Sequence, residues 1–364
     1  MSRIAQKPIV VMAGGTGGHV FPALVVAEKL RQRGEQIVWF GTRAGIEARV
    51  VPAANIAFEW LDVQGLRGKG AGALLLAPFR LIRACWQALQ MLRRIKPKAV
   101  LGMGGFVAGP GGLMAWVLDI PLFLHEQNSV AGLTNRILGR FATRSYFAFP
   151  GPAEKFPHSE YIGNPVRDEI VSLQDPAMRF SGRDGQPLNL LVIGGSLGAA
   201  SLNRVLPESL ALLERDQRPL VRHQCGDRHV DLCRENYQTA EVEAEVVSFI
   251  EDMSQAYAWA DLVICRAGAI TVSELTAAGV AALLIPFPHA VDNHQYYNAL
   301  FLEQADAAQI LKESDLTAEK LALKIRFFQQ NREALLQMAS RAKGLCQRDA
   351  AEKLVSGLLA GASE

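Results

Sequence analysis

Two halves of the chain repeat one plan, in which a short apolar run leads into glycines and then into a segment of helical periodicity. PIVVMAGGTGGH at 8–19 is matched by LNLLVIGGSLGA at 188–199, and KAVLGMGGFVAGPGG at 98–112 is matched by ADLVICRAGAITVSE at 260–274. Apolar runs that alternate with helices indicate parallel sheets built from βαβ units. The pattern therefore predicts an α/β protein with two Rossmann-like, doubly wound parallel-sheet domains that face each other across a cleft at the carboxyl ends of their strands.

The domain boundary is predicted near residues 161–166, where Pro157, Gly163 and Pro165 interrupt regular structure. We expect an N-terminal domain over residues 1–163 and a C-terminal domain over residues 164–344. The last helix, within residues 345–364, is expected to pack back on the first domain.

The net charge of +2 conceals an uneven distribution along the chain. Residues 1–160 contain 19 Lys and Arg against 9 Asp and Glu, whereas residues 161–364 contain 19 against 27. A basic half suits an anionic membrane or a phosphorylated ligand, and the near-neutral total argues against nucleic-acid binding. An accidental distribution is the alternative that charge alone leaves open.

Cysteine usage and the N-terminus both favour a cytoplasmic protein. The five cysteines lack CxxC or metal-ligand spacing, which is typical of reduced thiols. The opening MSRIAQKPIVVMAGG lacks a signal-peptide cleavage site. The uncharged stretch 99–118 is long enough to span a membrane, but its six glycines and Pro110 predict a strand, a glycine loop and a buried helix instead.

Glycine loops at 14–19, 194–199 and 266–274 each join a predicted strand to a helix, where free amides can bind an anion. The second strand ends in FGTR without an acidic residue, which disfavours NAD, and no GK[ST] follows to make a P-loop. In the third loop Arg266 and the amides could hold a diphosphate, and Glu274 could accept hydrogen bonds from ribose hydroxyls. The alternatives are a surface salt bridge for Arg266 and helix-dipole complementation for Glu274.

Six segments in this order resemble the MurG family of bacterial UDP-N-acetylglucosamine–N-acetylmuramyl-(pentapeptide) pyrophosphoryl-undecaprenol N-acetylglucosamine transferases. They are GGTGGHVFP at 14–22, GGFVAGP at 104–110, HEQN at 125–128, GNPVR at 163–167, GGSLGA at 194–199 and CRAGAITVSE at 265–274. The resemblance covers nearly the whole chain. It implies the GT-B fold and inverting transfer of N-acetylglucosamine from UDP-N-acetylglucosamine to lipid I, giving lipid II, by a peripheral protein at the cytoplasmic face of the inner membrane.

The resemblance also implies the substrate-binding residues, with the donor mainly on the second domain. Glu274 would bind the ribose, the backbone of Ile250 the uracil, and Gln295 the sugar hydroxyls. The full expected set is Thr16, Gly17, Gly18, Asn128, Arg167, Ser196, Ile250, Arg266, Ala269, Ile270, Thr271, Val272, Ser273, Glu274 and Gln295. Two positions depart from the family, which often has tyrosine at Phe106 and a glutamine at His294. Other cell-wall and division proteins are further partners that the family suggests.

His19 is the predicted catalytic base, because it ends a glycine loop in the expected cleft and imidazole titrates near neutral pH. Binding of the acceptor diphosphate or helix capping are alternative roles for His19, and Glu126 is the rival base. No DxD-like acidic pair ends a strand, so no metal or other cofactor is expected. A UDP-N-acetylglucosamine 2-epimerase of the same fold and a non-catalytic nucleotide-sugar sensor are the alternative functions.

Residues 66–94 predict a membrane contact. The segment interleaves six Lys and Arg with large apolar side chains and contains no acidic residue. This pattern is typical of helices that lie in the membrane interface. A core helix with a basic exposed face is the alternative for residues 86–92.

Overall fold

We describe a computed structural model of the chain for residues 7–63, 76–154, 156–183, 185–195 and 198–362. The chain divides into two compact units, one running to Pro165 and resuming at Asp349, the other comprising Val166–Arg348. The sequence predicts these boundaries after residues 163 and 344.

The first unit is built on a parallel sheet in the order β3-β2-β1-β4-β5-β6-β7. Its strands are β1 (Ile9–Met12), β2 (Ile37–Gly41), β3 (Ala57–Trp60), β4 (Ala99–Gly102), β5 (Leu122–Glu126), β6 (Arg144–Phe147) and β7 (Ser159–Tyr161). Its helices, within the described residues, are α1 (Gly17–Gln32), α2 (Glu47–Ala53), α3 (Ala77–Ile95), α4 (Ala108–Val117), α5 (Leu133–Leu138) and α6 (Pro150–Ala153), with the C-terminal helix described below.

The central strand of this sheet shows why continuous apolar runs form its middle. All four residues of β1 are buried. Ile9 and Val11 belong to the core cluster that includes α1, whereas Val10 and Met12 belong to the cluster that includes α3 and α4. Because side chains alternate across a strand, burial on both faces requires an apolar residue at every position.

The second unit has a parallel sheet in the order β10-β9-β8-β11-β12-β13. Its strands are β8 (Asn189–Ile193), β9 (Leu220–Gln224), β10 (Glu245–Val247), β11 (Leu262–Cys265), β12 (Ala281–Leu284) and β13 (Gln309–Ile310). Its described helices are α7 (Asp168–Val171), α8 (Pro176–Phe180), α9 (Ala200–Ala211), α10 (Val230–Thr239), α11 (Met253–Trp259), α12 (Ala269–Ala278), α13 (His294–Glu303), α14 (Ala318–Gln330) and α15 (Arg332–Gly344).

The C-terminal helix α16 (Ala350–Gly361) packs on α1 of the first unit. Its Leu354, Val355 and Leu358 are fully buried in the core cluster of that unit. At the surface, Glu352 pairs with Lys29 at 3.2 Å and with Arg33 at 2.6 Å. The first unit is therefore assembled from both ends of the chain.

The uncharged stretch 99–118 forms β4, a glycine turn and the short helix α4, as predicted. Among the helices of the described residues, none combines the length and the apolar character needed to cross a membrane.

Candidate active site

The first glycine loop lies at the carboxyl end of β1 and leads into α1. Thr16 caps α1 with an extended backbone, and the first helical bonds run from His19 N (3.1 Å) and Val20 N (3.2 Å) to its carbonyl. The amides of Gly17 and Gly18 precede these bonds, which leaves them available to a ligand. This is the geometry that the sequence predicted for an oxygen-binding loop.

Glu47 holds this loop, and sequence reasoning missed it. Its carboxylate is fully buried and accepts hydrogen bonds from Gly15 N at 3.0 Å, Thr42 N at 3.0 Å and Thr42 Oγ1 at 2.7 Å. The segment after β2 does contain an acidic residue, at the start of α2, but its carboxylate binds the protein's own amides. Because Gly15 N already has an acceptor, the helix amides of Gly17 and Gly18 are the ones left for a ligand.

His19 lies over a second glycine turn, at the end of the neighbouring strand β4. A Cβ on Gly104 would come within 2.3 Å of His19 Cδ2 and 2.8 Å of Nε2, and Gly104 has a φ of +90°. Only glycine fits this position, for both reasons. On its other side, His19 Nδ1 lies 3.3 Å from Thr16 Oγ1. The imidazole is thus held between the two turns that flank the switch point of the sheet.

Glu126, the rival base, is buried at the end of β5 and occupied by its own loop. Its carboxylate accepts hydrogen bonds from Asn128 N at 3.0 Å, Gly132 N at 3.0 Å and Asn135 Nδ2 at 2.9 Å. Burial raises the pKa of the carboxyl, and these hydrogen bonds oppose the rise. This arrangement favours a role for Glu126 in shaping the loop that presents Asn128.

The residues on either side of Glu126 also make hydrogen bonds within the protein. His125 is fully buried and its Nε2 lies 3.0 Å from Gly163 O. Burial lowers the pKa of His125 to about 4. Gln127 donates to Met103 O at 2.8 Å, and Asn164 donates to Gln127 O at 3.1 Å. The polar cluster therefore ties the end of β5 to β4 and to the turn at 163–164.

The matching glycine loop of the second unit is held in the same way, by a different side chain. Gln224, at the end of β9, accepts from Gly195 N at 3.0 Å and donates to Gly195 O at 3.1 Å. A Cβ on Gly198 would lie 2.2 Å from Cys225 O. Ser196, an expected phosphate contact, lies outside the described residues.

The best anion site of the second unit is the amino terminus of α12, at the carboxyl end of β11. Gly268 is its N-cap, and the first α-helical bond runs from Val272 N to Gly268 O at 2.9 Å. The preceding amides, of Ala269, Ile270 and Thr271, point out of the helix end, where the helix dipole favours negative charge. The hydroxyl of Ser273 donates to Ala269 O, one turn back in the same helix, at 3.0 Å.

Glu274 lies in the second turn of α12 with its carboxylate held from two sides. Arg167 Nη2 donates to Oε1 at 3.1 Å, and the hydroxyl of Tyr257 donates to Oε2 at 3.1 Å. Burial raises the pKa of Glu274, while Arg167 and Tyr257 act to lower it. Arg167, an expected phosphate contact, is therefore engaged with the expected ribose-binding residue.

Arg266 is paired within the protein. It forms an ion pair with Glu313, donates to Ile285 O at 3.1 Å and to Ser201 Oγ at 3.1 Å, and lies over the ring of Phe287. These contacts agree with the salt-bridge alternative for Arg266. The ion pair is largely buried, however, because the Arg266 side chain is only 13% exposed.

The last two expected donor contacts follow two different strands of the second sheet. Ile250 is half-buried between β10 and α11. Gln295 is the second residue of α13, after β12, and accepts from Phe287 N at 2.9 Å. His294 is directed at Val291 O, 2.7 Å from its Nδ1. Among the described residues, no group of three or more His, Cys, Asp or Glu could hold a metal ion.

Comparison with known proteins gives the family. Over 344 residues the chain is 54% identical to a protein of Alkalilimnicola ehrlichii named UDP-N-acetylglucosamine--N-acetylmuramyl-(pentapeptide) pyrophosphoryl-undecaprenol N-acetylglucosamine transferase, covering 94% of this chain and 96% of that relative. The crystal structure of MurG from Acinetobacter baumannii is similar with a TM-score of 0.84 and 42% identity, covering 97% of this chain and 99% of that one. This chain belongs to the MurG family.

Family models for glycosyltransferase family 28 match the chain in both units. The N-terminal domain model covers residues 9–147 and the C-terminal domain model covers residues 189–354. The calicheamicin glycosyltransferase CalG4, at 16% identity, shares the fold with a TM-score of 0.66. The MurG-family protein is thus a glycosyltransferase, and the GT-B fold class expected from the sequence is confirmed.

Proposed function

We propose that this glycosyltransferase transfers N-acetylglucosamine, with inversion, from UDP-N-acetylglucosamine to lipid I, which is undecaprenyl-pyrophosphoryl-N-acetylmuramyl-pentapeptide, and so makes lipid II for peptidoglycan. The name of the relative with 54% identity supports both substrates. The observation that carries the proposal is the amino terminus of α12, where free amides stand one turn before the oriented carboxylate of Glu274. Amides for a diphosphate and a carboxylate for a ribose are the two features that a UDP-sugar requires.

In this proposal the second unit binds the donor. The amides of Ala269 to Thr271 hold the diphosphate, Glu274 accepts from the ribose, Ile250 reads the uracil through its backbone, and Gln295 contacts the sugar. Arg266 and Arg167 each pair with a glutamate. The helix amides are therefore the main groups that stabilise the negative charge of the donor diphosphate. Fixed amides at a helix end also stabilise the charge that develops on departing UDP, without a metal.

The first unit supplies the base and binds the acceptor. In this role Nδ1–H of His19 donates to Thr16 Oγ1, and Nε2 takes the proton of the acceptor hydroxyl. As that proton leaves, the hydroxyl oxygen bonds to the anomeric carbon and the bond from that carbon to UDP breaks, which inverts the configuration. His19 is preferred to Glu126 because the Glu126 carboxylate is occupied by its own loop.

We place the protein peripherally on the cytoplasmic face of the inner membrane, with α3 in contact with the bilayer. The first half of α3 exposes large apolar side chains: Phe79 is 72% exposed, Ile82 66% and Trp86 59%. The buried residues of the helix are Ala77, Ala84, Ala88, Met91 and Leu92. An exposed apolar surface beside arginines suits insertion among anionic lipids.

The deciding experiment measures UDP release with and without a lipid I analogue. We expect release only when the analogue is present, and a product heavier by one N-acetylglucosamine. UDP release without acceptor would support the epimerase alternative, and UDP binding without any turnover would support the sensor.

His19→Ala tests the base. General base catalysis typically contributes 10²–10⁴-fold, so kcat should fall by at least about 100-fold while UDP affinity is kept. The exposed His158 of the same unit provides the control variant His158→Asn, which should keep wild-type kcat. Near-normal kcat in His19→Ala would exclude the base role.

A further inference from the structure

Tyr257 is a buried residue whose hydroxyl contacts the carboxylate of Glu274. It lies in α11, has no exposed surface, and places its hydroxyl 3.1 Å from Glu274 Oε2. Arg167 approaches the other carboxylate oxygen, Oε1, also at 3.1 Å. Each carboxylate oxygen therefore accepts a hydrogen bond from a different protein donor.

The hydroxyl of Tyr257 can act only as a donor here. Burial, followed by the charge of Glu274, raises the pKa of Tyr257 well above its ordinary value, so the phenol stays protonated. An ionised carboxylate only accepts hydrogen bonds, and each of its oxygens has about two acceptor sites. After Arg167 and Tyr257 have each taken one site, one site on each oxygen remains for a ligand.

Three nearby titratable groups are either neutral or engaged elsewhere. The Cys265 thiol in β11 has its pKa raised to about 12 by burial, so it stays neutral. Arg179 and Lys343 donate to the carbonyls of Ala278 and Ala277, at the other end of α12.

We propose that Tyr257 is a positioning residue of the donor site, which holds the Glu274 carboxylate in the plane that accepts hydrogen bonds from both vicinal hydroxyls of a ribose. The inference rests on the proposed function, in which Glu274 binds the ribose of UDP. Two vicinal hydroxyls require both carboxylate oxygens at once, so a carboxylate free to rotate serves a 2′-deoxyribose nearly as well as a ribose. Tyr257 thereby gives the site its preference for ribonucleotides.

The test compares the affinities of UDP and 2′-deoxy-UDP for the wild-type protein and for Tyr257→Phe. A hydrogen bond to a charged group is lost, so UDP should bind about tenfold more weakly. Binding of 2′-deoxy-UDP should change by about twofold at most, because it uses only one carboxylate oxygen. With a lipid I analogue, KM for the donor should rise while kcat is kept.

Tyr237→Phe is the matched control. Tyr237 is also buried in the second unit, and its hydroxyl is hydrogen-bonded to His223 Nδ1 at 3.0 Å, away from Glu274. This variant removes an equivalent buried hydroxyl but should keep the wild-type ratio of the two affinities. An equal loss of that ratio in both variants would overturn the proposal.

The pH profile of UDP binding is a second readout. Loss of the Tyr257 donor removes an interaction that lowers the pKa of Glu274, so UDP affinity should fail at a higher pH in Tyr257→Phe. We therefore expect the acid limb of the UDP-binding profile to move to higher pH in Tyr257→Phe than in the wild type. An unmoved acid limb would contradict the positioning role.

Glu274→Gln separates this inference from the proposed function. If Glu274→Gln binds UDP like the wild type, the donor site itself is wrong. If Glu274→Gln weakens binding and Tyr257→Phe does not, only the role of Tyr257 is wrong. If Tyr257 acts through Glu274, the double variant should bind no more weakly than Glu274→Gln alone.

A variant that keeps the hydroxyl covers the case in which Tyr257→Phe does not fold. 3-Fluorotyrosine at position 257 makes the hydroxyl a stronger donor, so UDP should bind about twofold more tightly. Unchanged UDP affinity there would overturn the proposal.

Discussion

Glu47→Gln should impair catalysis although Glu47 is not expected to touch either substrate. One carboxylate oxygen serves Gly15 N, and the other serves Thr42 N and Thr42 Oγ1. The glutamine side chain is an amide with a single carbonyl oxygen as acceptor. If that oxygen points toward Thr42, it keeps two hydrogen bonds. The side-chain NH2 group then faces Gly15 N–H, and two hydrogen-bond donors oppose each other. The loop that carries Thr16 must move to relieve this contact.

The size of the effect follows from the lost bond. A hydrogen bond to a charged group contributes about 1.5–3 kcal/mol, so we take about 2 kcal/mol for the Gly15 amide. Expressed fully in the transition state, this lowers kcat about 30-fold. The first unit should also melt roughly 4–8 °C lower, at 2–4 °C per kcal/mol for a unit of this size. UDP affinity should stay unchanged, because the proposed UDP site lies in the second unit.

The assay is steady-state transfer to a lipid I analogue, with thermal unfolding followed by circular dichroism. Glu59→Gln is the control, because Glu59 pairs at the surface with Arg94, whose side chain is 63% exposed. Exposed pairs contribute at most about 1 kcal/mol, so this variant should behave like the wild type. Wild-type kcat and melting temperature in Glu47→Gln would refute the assignment of Glu47 as the support of the loop.

Three further predictions concern stability and membrane contact. His125, whose pKa is lowered from 6.5 to about 4, must take up a proton on unfolding, so stability is lost as pH falls through 6.5 toward 4. This loss is about 2 kcal/mol between pH 7 and pH 5, and His125→Gln should remove it from urea-unfolding curves measured at both pH values. Ile82→Ser should release the protein from anionic vesicles at low salt while Leu323→Ser, at an exposed apolar residue of the second unit, does not; equal retention of both variants would contradict the membrane role of α3. Leu354→Ala should destabilise the first unit by about 2–5 kcal/mol, seen as an earlier unfolding transition, and an unchanged transition would show that α16 adds little to that core.

The parts of the fold that depend on neighbouring residues could be predicted from the sequence. The strand, glycine turn and helix of residues 9–32 follow each other directly, and so do those of residues 262–278. Each turn needs glycine for a local reason, such as the φ of +96° at Gly15. Parallel pairing then brings the carboxyl ends of the strands together, which placed the expected ligand residues at one edge of each sheet.

The side chains that hold the site in place could not be predicted, because their partners are distant in sequence. Glu47 lies 32 residues from Gly15, and Tyr257 lies 17 residues from Glu274. Arg167 and Glu274 are separated by 107 residues. No local pattern distinguishes a glutamate that holds a loop from one that faces solvent, or a tyrosine that donates to a carboxylate from one that only packs.

The return of α16 to the first unit determines the order in which the chain can fold during synthesis. Leu354, Val355 and Leu358 belong to the core of the first unit, but the ribosome makes them after the whole of Val166–Arg348. The second unit is an uninterrupted insertion, and it can complete its core while the first still lacks one helix. N-terminal domains usually fold first on the ribosome. In this chain the unit whose synthesis starts first can complete its core only after the second unit has been synthesised.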